Sequence, residues 1–106
     1  MPQPAKRLKV KREEILEQLK EIKPLLNQKY GVVKLGLFGS VARGDNKENS
    51  DIDVLVQIKK ARFSLIDFVR LKRFLEKHLE CEVDLVMEKA IKPRLKKHIL
   101  NEVIYV

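Results

Sequence analysis

From Glu13 to about Lys29, apolar residues fall at Ile15, Leu19, Ile22 and Leu26, spaced four, three and four. That spacing predicts a helix with one buried stripe. Pro24 lies inside it and predicts a kink there, or the end of the regular part. Gly31 marks a turn, and the β-rich run "VVKLGLF" after it predicts a central strand. In "DIDVLVQIK" the alternation puts Asp51, Asp53 and Leu55 on one face of a second strand. Ile52, Val54, Val56 and Ile58 take the other. Ser64, with Asp67 three residues on, reads as a capping box. It opens a helix with the stripe Leu65, Phe68, Leu71, Leu75 and Leu79, running to about Glu80. "CEVDLVM" reads as a third strand, Val83 and Leu85 on one face and Asp84 on the other. Pro93 suits the first turn of a last helix. That helix runs to about Asn101 with Ile91, Leu95, Ile99 and Leu100 apolar, and "VIYV" adds a short edge strand.

The order helix, strand, turn, strand, helix, strand, helix, strand predicts an α/β (α+β) domain, a small sheet with helices against one face. A chain of 106 residues holds one such core and no second substrate domain. Residues 1–12, basic and carrying Pro2 and Pro4, read as a flexible arm, and 13–106 as the domain. "PAKRLKV" is similar to a nuclear import signal, but a solvated basic terminus is the favoured reading. Hydrophobic residues at 44% and charged residues at 36% exclude a disordered chain. No apolar run approaches the roughly 20 residues of a membrane span. The single Cys81 excludes an internal disulfide and a multi-cysteine metal site, and a cytoplasmic location is expected. A net charge of +8 calls for an anionic partner without choosing among nucleic acid, nucleotide and acidic protein.

The stretch GSVARGDNKENSDID, residues 39–53, carries the chemistry. In both carboxylate-bearing strands the best apolar residues lie opposite the aspartates. If helices cover the apolar face, Asp51, Asp53 and Asp84 share the open one. Carboxylates that close repel one another unless a cation neutralises them. Three oxygen donors without a nearby His or Cys suit a hard cation, magnesium best. Gly39 permits close backbone approach, and Ser40 offers a hydroxyl and an N–H where a short helix could start. Such a turn suits a triphosphate tail. Two metal ions about 4 Å apart would then support in-line displacement with pyrophosphate leaving.

Gly39-Ser40, ten residues, then Asp51-Ile52-Asp53 resembles the signature of the DNA polymerase beta-like nucleotidyltransferase superfamily. "LGLFGSVARGDNKENSDIDVLV", the later "VDLV" and the closing "KPRLKKHILNEVIYV" are similar to its minimal nucleotidyltransferase branch, over about residues 13–106. The resemblance implies a polymerase beta-like palm, with a small mixed sheet of three to four strands and helices packed on one face. It implies that Asp51 and Asp53 ligand two Mg2+ ions. Asp84 would ligand the catalytic ion and help deprotonate the acceptor, and Gly39 and Ser40 would hold the β- and γ-phosphates of ATP. The third carboxylate is missing from many minimal members, and its presence here argues for a working enzyme. The resemblance also implies a partner, a HEPN-domain toxin encoded nearby. AMP would pass from ATP to a hydroxyl of that toxin, a tyrosine, in a type VII-like toxin–antitoxin system.

Around this core the readings diverge. Arg43, one turn after Ser40, either touches the triphosphate or acceptor or is a surface arginine, and Ser50 either caps the loop or orients Asp51. Asp45, Asn46, Lys47 and Glu48 read as a solvated loop, with Lys47 in reach of phosphate. His78 and His98 sit late in helices, where an imidazolium suits the helix dipole better than a metal. Two other functions compete with the adenylyltransferase. One is an idle antitoxin that neutralises its toxin by binding alone. The other is a small basic nucleic-acid-binding module, disfavoured by three carboxylates on one face.

Overall fold

The computed structural model describes residues 10–106. Residues 1–9, which hold most of the expected basic arm and the import-like stretch, lie outside them. Helix α1 (Arg12–Tyr30) buries Ile15, Leu19, Ile22 and Leu26 as the periodicity predicts, and adds Tyr30. Pro24 does not end it. A proline leaves the carbonyl four residues back without a partner, and here both Pro24 and Lys20 face solvent, which keeps that carbonyl within reach of water. Gly31, with φ 75°, closes the helix by returning its N–H to Asn27.

Strand β1 (Val32–Phe38) leads directly into a five-residue helix, α2 (Gly39–Arg43), and β2 (Ile52–Ile58) follows the loop. Helix α3 (Leu65–Leu79) crosses over to β3 (Val83–Met87). A 3-10 turn at Glu88–Ala90, helix α4 (Pro93–Glu102) and the short β4 (Ile104–Tyr105) complete the order. The sheet runs β3-β2-β1-β4. The β2–β3 pair is parallel and the other two pairs are antiparallel, so the sheet is mixed. A parallel pair needs a long crossover, and α3 supplies it. Its start carries the expected capping box: Ser64 Oγ accepts from the Asp67 N–H, and Asp67 Oδ2 accepts from the Ser64 N–H.

The core lies between α1, α3 and one face of the sheet, where Ile52, Val54, Val56, Val83 and Leu85 meet Leu71, Leu75 and Leu79. The expected stripe of α3 fails at its first turn, since Leu65 is 77% exposed. Two further expectations need correction. Leu55, placed with the aspartates on an open face, is buried. Its β1 partner is Gly36, and a Cβ on Gly36 would sit 2.6 Å from Val103 Cγ2. The chain entering β4 therefore roofs this part of the face, and only its aspartate end stays open. Helix α4 buries none of its residues, including Leu95, Ile99 and Leu100, and Ile91 before it is only partly covered. It lies against α2 rather than on the core. Among the described residues no helix is long and apolar enough to cross a membrane.

Candidate nucleotide and metal site

The aspartates and the Gly-Ser turn meet because of register. Phe38, the last residue of β1, pairs with Asp53, so the turn that follows lies beside that carboxylate. Across the parallel pair Asp53 stands opposite Asp84, and paired residues point to the same face. Gly39 has φ 77°, and a Cβ there would lie 2.0 Å from Asp53 Oδ2. The position needs glycine twice, for its left-handed backbone and for the carboxylate packed over it.

Asp51 stands just before β2 and is exposed, as is Asp84, whereas Asp53 is half-buried. The Asp53 carboxyl is pushed up from 3.8 to about 6. Burial is the largest cause, followed by the charges of Asp84 and Asp51; a hydrogen bond with Asp84 and the charge of Glu102 add to it. Such a site stores unfavourable negative charge that a bound cation would relieve. The donor set, all carboxylate oxygen, fits magnesium. Among the described residues no three His, Cys, Asp or Glu side chains are already gathered as a metal cluster. Asp53 and Asp84 are neighbours on one face, with Asp51 near enough for its charge to act on Asp53, rather than a closed cage.

The ten-residue spacer is not one loop. Val41 and Ala42 belong to α2 and are buried, and Gly44 (φ 83°) ends that helix. Asn46, expected in solvent, is 4% exposed, and its Nδ2 donates to the Val10 carbonyl at 3.1 Å. Arg12 Nη1 donates to the Ala42 carbonyl at 2.8 Å, so the spacer is fastened to the start of α1 at two points. A buried amide must find such a partner or cost stability, which is why Asn46 turns inward. Asp45, Lys47 and Glu48 are exposed as expected. Ser50 Oγ accepts from the Lys47 N–H at 2.9 Å, which makes Ser50 a loop cap.

Arg43 is held by two other carboxylates, Asp45 and Glu102. Its Nε donates to Asp45 Oδ2 at 3.1 Å and its Nη1 to Glu102 Oε1. Glu102 also accepts the Gly39 N–H at 2.9 Å. Burial tends to raise the Glu102 carboxyl, but the hydrogen bonds from Arg43 and Gly39 outweigh it and hold it below the usual range. Neither Glu102 nor the inward turn of Asn46 was anticipated. Glu102 lies 63 positions from Gly39, and no motif marks it. His78 stacks on Phe74 in α3, with ring centroids 6.1 Å apart, and His98 lies in α4 within electrostatic reach of Glu102. A cavity lined by Val56, Ile58, Met87, Glu88 and Lys96 among others opens at the far end of β2 and holds none of the candidate residues.

The family model for the nucleotidyltransferase domain matches residues 9–106. The chain belongs to the nucleotidyltransferase family. Protein adenylyltransferase MntA of Thermococcus cleftensis is 43% identical to it over 94 residues, covering 89% of this chain and 94% of that one. A solved structure described as a candidate minimal nucleotidyltransferase superposes with a TM-score of 0.77 at 38% identity, over 90% of this chain and 95% of the other. The fold is also shared, at 22% identity and a TM-score of 0.61, with a complex of a tri-AMPylated Shewanella oneidensis HEPN toxin and its MNT antitoxin. That match covers 89% of this chain and 70% of the other. The mixed four-stranded sheet agrees with the palm that the resemblance implies.

Proposed function

We propose that this nucleotidyltransferase is a protein adenylyltransferase that moves AMP from ATP to a hydroxyl of a cognate HEPN toxin, and so acts as an antitoxin. The observation that carries the reading is the convergence of Gly39, Asp53 and Asp84 at one open end of the sheet, with Asp53 raised to about 6 by burial and by its acidic neighbours. The adenylyltransferase relative and the AMPylated toxin complex supply the substrate and partner classes. The expected place of action is the cytoplasm, and the domain expected over 13–106 also takes in Val10, which is buried in the core, and Arg12, which opens α1.

Asp51, Asp53 and Asp84 would hold two Mg2+ ions. When bound, these neutralise the triphosphate and stabilise charge on the attacking and leaving oxygens. Gly39 and Ser40 receive the β- and γ-phosphates through backbone N–H and hydroxyl donors. Asp84 accepts the proton of the attacking tyrosine hydroxyl. That oxygen bonds to the α-phosphorus, the bond from phosphorus to the bridging oxygen breaks, and pyrophosphate leaves. Arg43 and Ser50 take supporting places, Arg43 toward phosphate and Ser50 through the loop that presents Asp51.

The test is incubation with α-labelled ATP, Mg2+ and the product of the neighbouring gene. Label on the partner, lost in Asp51→Asn and Asp84→Asn, is the expected result. Tight binding without label would instead make the chain an idle antitoxin.

A further inference from the structure

Gly39, whose N–H the proposed function aims at phosphate, already has an anion on it. Glu102 Oε2 accepts the Gly39 N–H at 2.9 Å, and Glu102 Oε1 meets Arg43 Nη1. One carboxylate thus takes both a backbone donor and a guanidinium, the two donor types that bind phosphate oxygens best. The contact is well defined, since the Glu102 side chain is only 12% exposed while Arg43 stays 47% exposed. Glu102 also adds its negative charge to the field at Asp53.

From this geometry we infer that Glu102 is an internal stand-in for phosphate that sets the affinity of the site for nucleotide. The inference rests on the nucleotidyltransferase reading and adds a residue to it. An arriving triphosphate must take the Gly39 N–H and Arg43 from Glu102, and the like charge of Glu102 opposes its approach until it does. The side chain that yields is the last residue of α4, a helix that buries none of its residues and lies against α2. Val103 over Gly36 and the pairing of Ile104 with β1 hold the chain just after Glu102, so the adjustment falls on α4 itself. Exchange of carboxylate for phosphate therefore also transmits nucleotide binding to α4. Glu102 is a positioning residue in this scheme: it acts through Gly39 and Arg43 and touches no reacting atom.

The experiment uses the full chain and its Glu102→Gln and Glu102→Asp variants. AMP-PNP with Mg2+ is titrated by calorimetry, and the Gly39 amide is followed by 15N NMR. Glu102→Gln keeps the shape and removes the charge, so it is expected to bind AMP-PNP three- to tenfold tighter. In the wild type, AMP-PNP and inorganic triphosphate should each shift the Gly39 amide resonance, and in Glu102→Gln the same shift should be complete at a lower ligand concentration. In turnover the variant should lower KM with kcat little changed. A purely structural Glu102 would instead give a lower melting temperature with unchanged or weaker binding, and that result overturns the inference. Should Glu102→Gln melt too low to titrate, Glu102→Asp, one methylene short of Gly39, must show the same tightening or the inference fails. A wild type that binds no AMP-PNP at all sinks the nucleotidyltransferase reading itself. A wild type that binds, with variants that bind no tighter, sinks only the role of Glu102.

Discussion

Replacing Asp53 with Asn should make the metal-free protein more stable at neutral pH while it removes the activity. In the native state the Asp53 carboxyl is raised from 3.8 to about 6, with burial first among the causes. Between those two values the native chain holds a proton that the unfolded chain has released, so stability falls as pH rises through that window. Above about 6 the full cost is present. Two pKa units correspond to about 3 kcal/mol, and solvent screening of a half-exposed carboxyl brings this to roughly 1–2 kcal/mol. Asn keeps the shape and can still hydrogen-bond to Asp84, but carries no charge. The expected gain at pH 7.5 is therefore about 1–2 kcal/mol, or roughly 4–10 °C in Tm for a domain of this size. At pH 4, where the native carboxyl is protonated and the unfolded one is only partly ionised, most of this gap should have closed. The assay is thermal denaturation of both chains from pH 4 to 8 in EDTA, repeated with millimolar Mg2+. Magnesium should raise the wild-type Tm at pH 7.5 and close much of the gap, because a ligand that binds only the native state stabilises it. An Asn variant no more stable than wild type at pH 7.5, or one that gains equally at pH 4, would refute the account of Asp53.

Gly39→Ala should abolish AMP transfer and cost about 1–3 kcal/mol in a thermal melt. Its Cβ would sit 2.0 Å from Asp53 Oδ2, on a backbone with φ 77°. Leu75→Ala empties a fully buried position between α3 and the sheet, and urea denaturation should show a loss of about 2–5 kcal/mol. Ser64→Ala removes one side of the α3 capping box, with an expected loss of about 1 kcal/mol and no change in nucleotide affinity.

The parts legible beforehand are those written into local periodicity. Ile15, Leu19, Ile22 and Leu26 declared α1, and the alternation around Asp53 and Asp84 declared which way each strand faces. Even the short helix after Gly39 follows from the turn chemistry of that glycine. What stayed hidden depends on distant neighbours. Leu95 and Leu100 repeat like core residues, yet α4 meets α2 instead of the sheet, and apolar spacing alone carries no information about what a helix meets. Leu55 follows the strand alternation correctly but is roofed by a segment almost 50 positions later. Asn46 and Glu102 take their meaning from Val10 and Gly39, 36 and 63 positions away. A composition that makes polar residues look solvated offers no hint of either.

The opposition of Asp53 and Asp84 across the parallel pair carries a consequence for how the protein comes into being. Side chains alternate along a strand, so sliding β3 by one residue would turn Asp84 into the core and Val83 and Leu85 out to water. The misaligned chain would lose its greasy interior and its acid pair in the same stroke. A half-assembled molecule, released from the ribosome before β3 has docked, would thus carry no competent centre. Survival of the chemistry and survival of the architecture are under one selection, and a single-residue deletion between Leu79 and Val83 would be read by both.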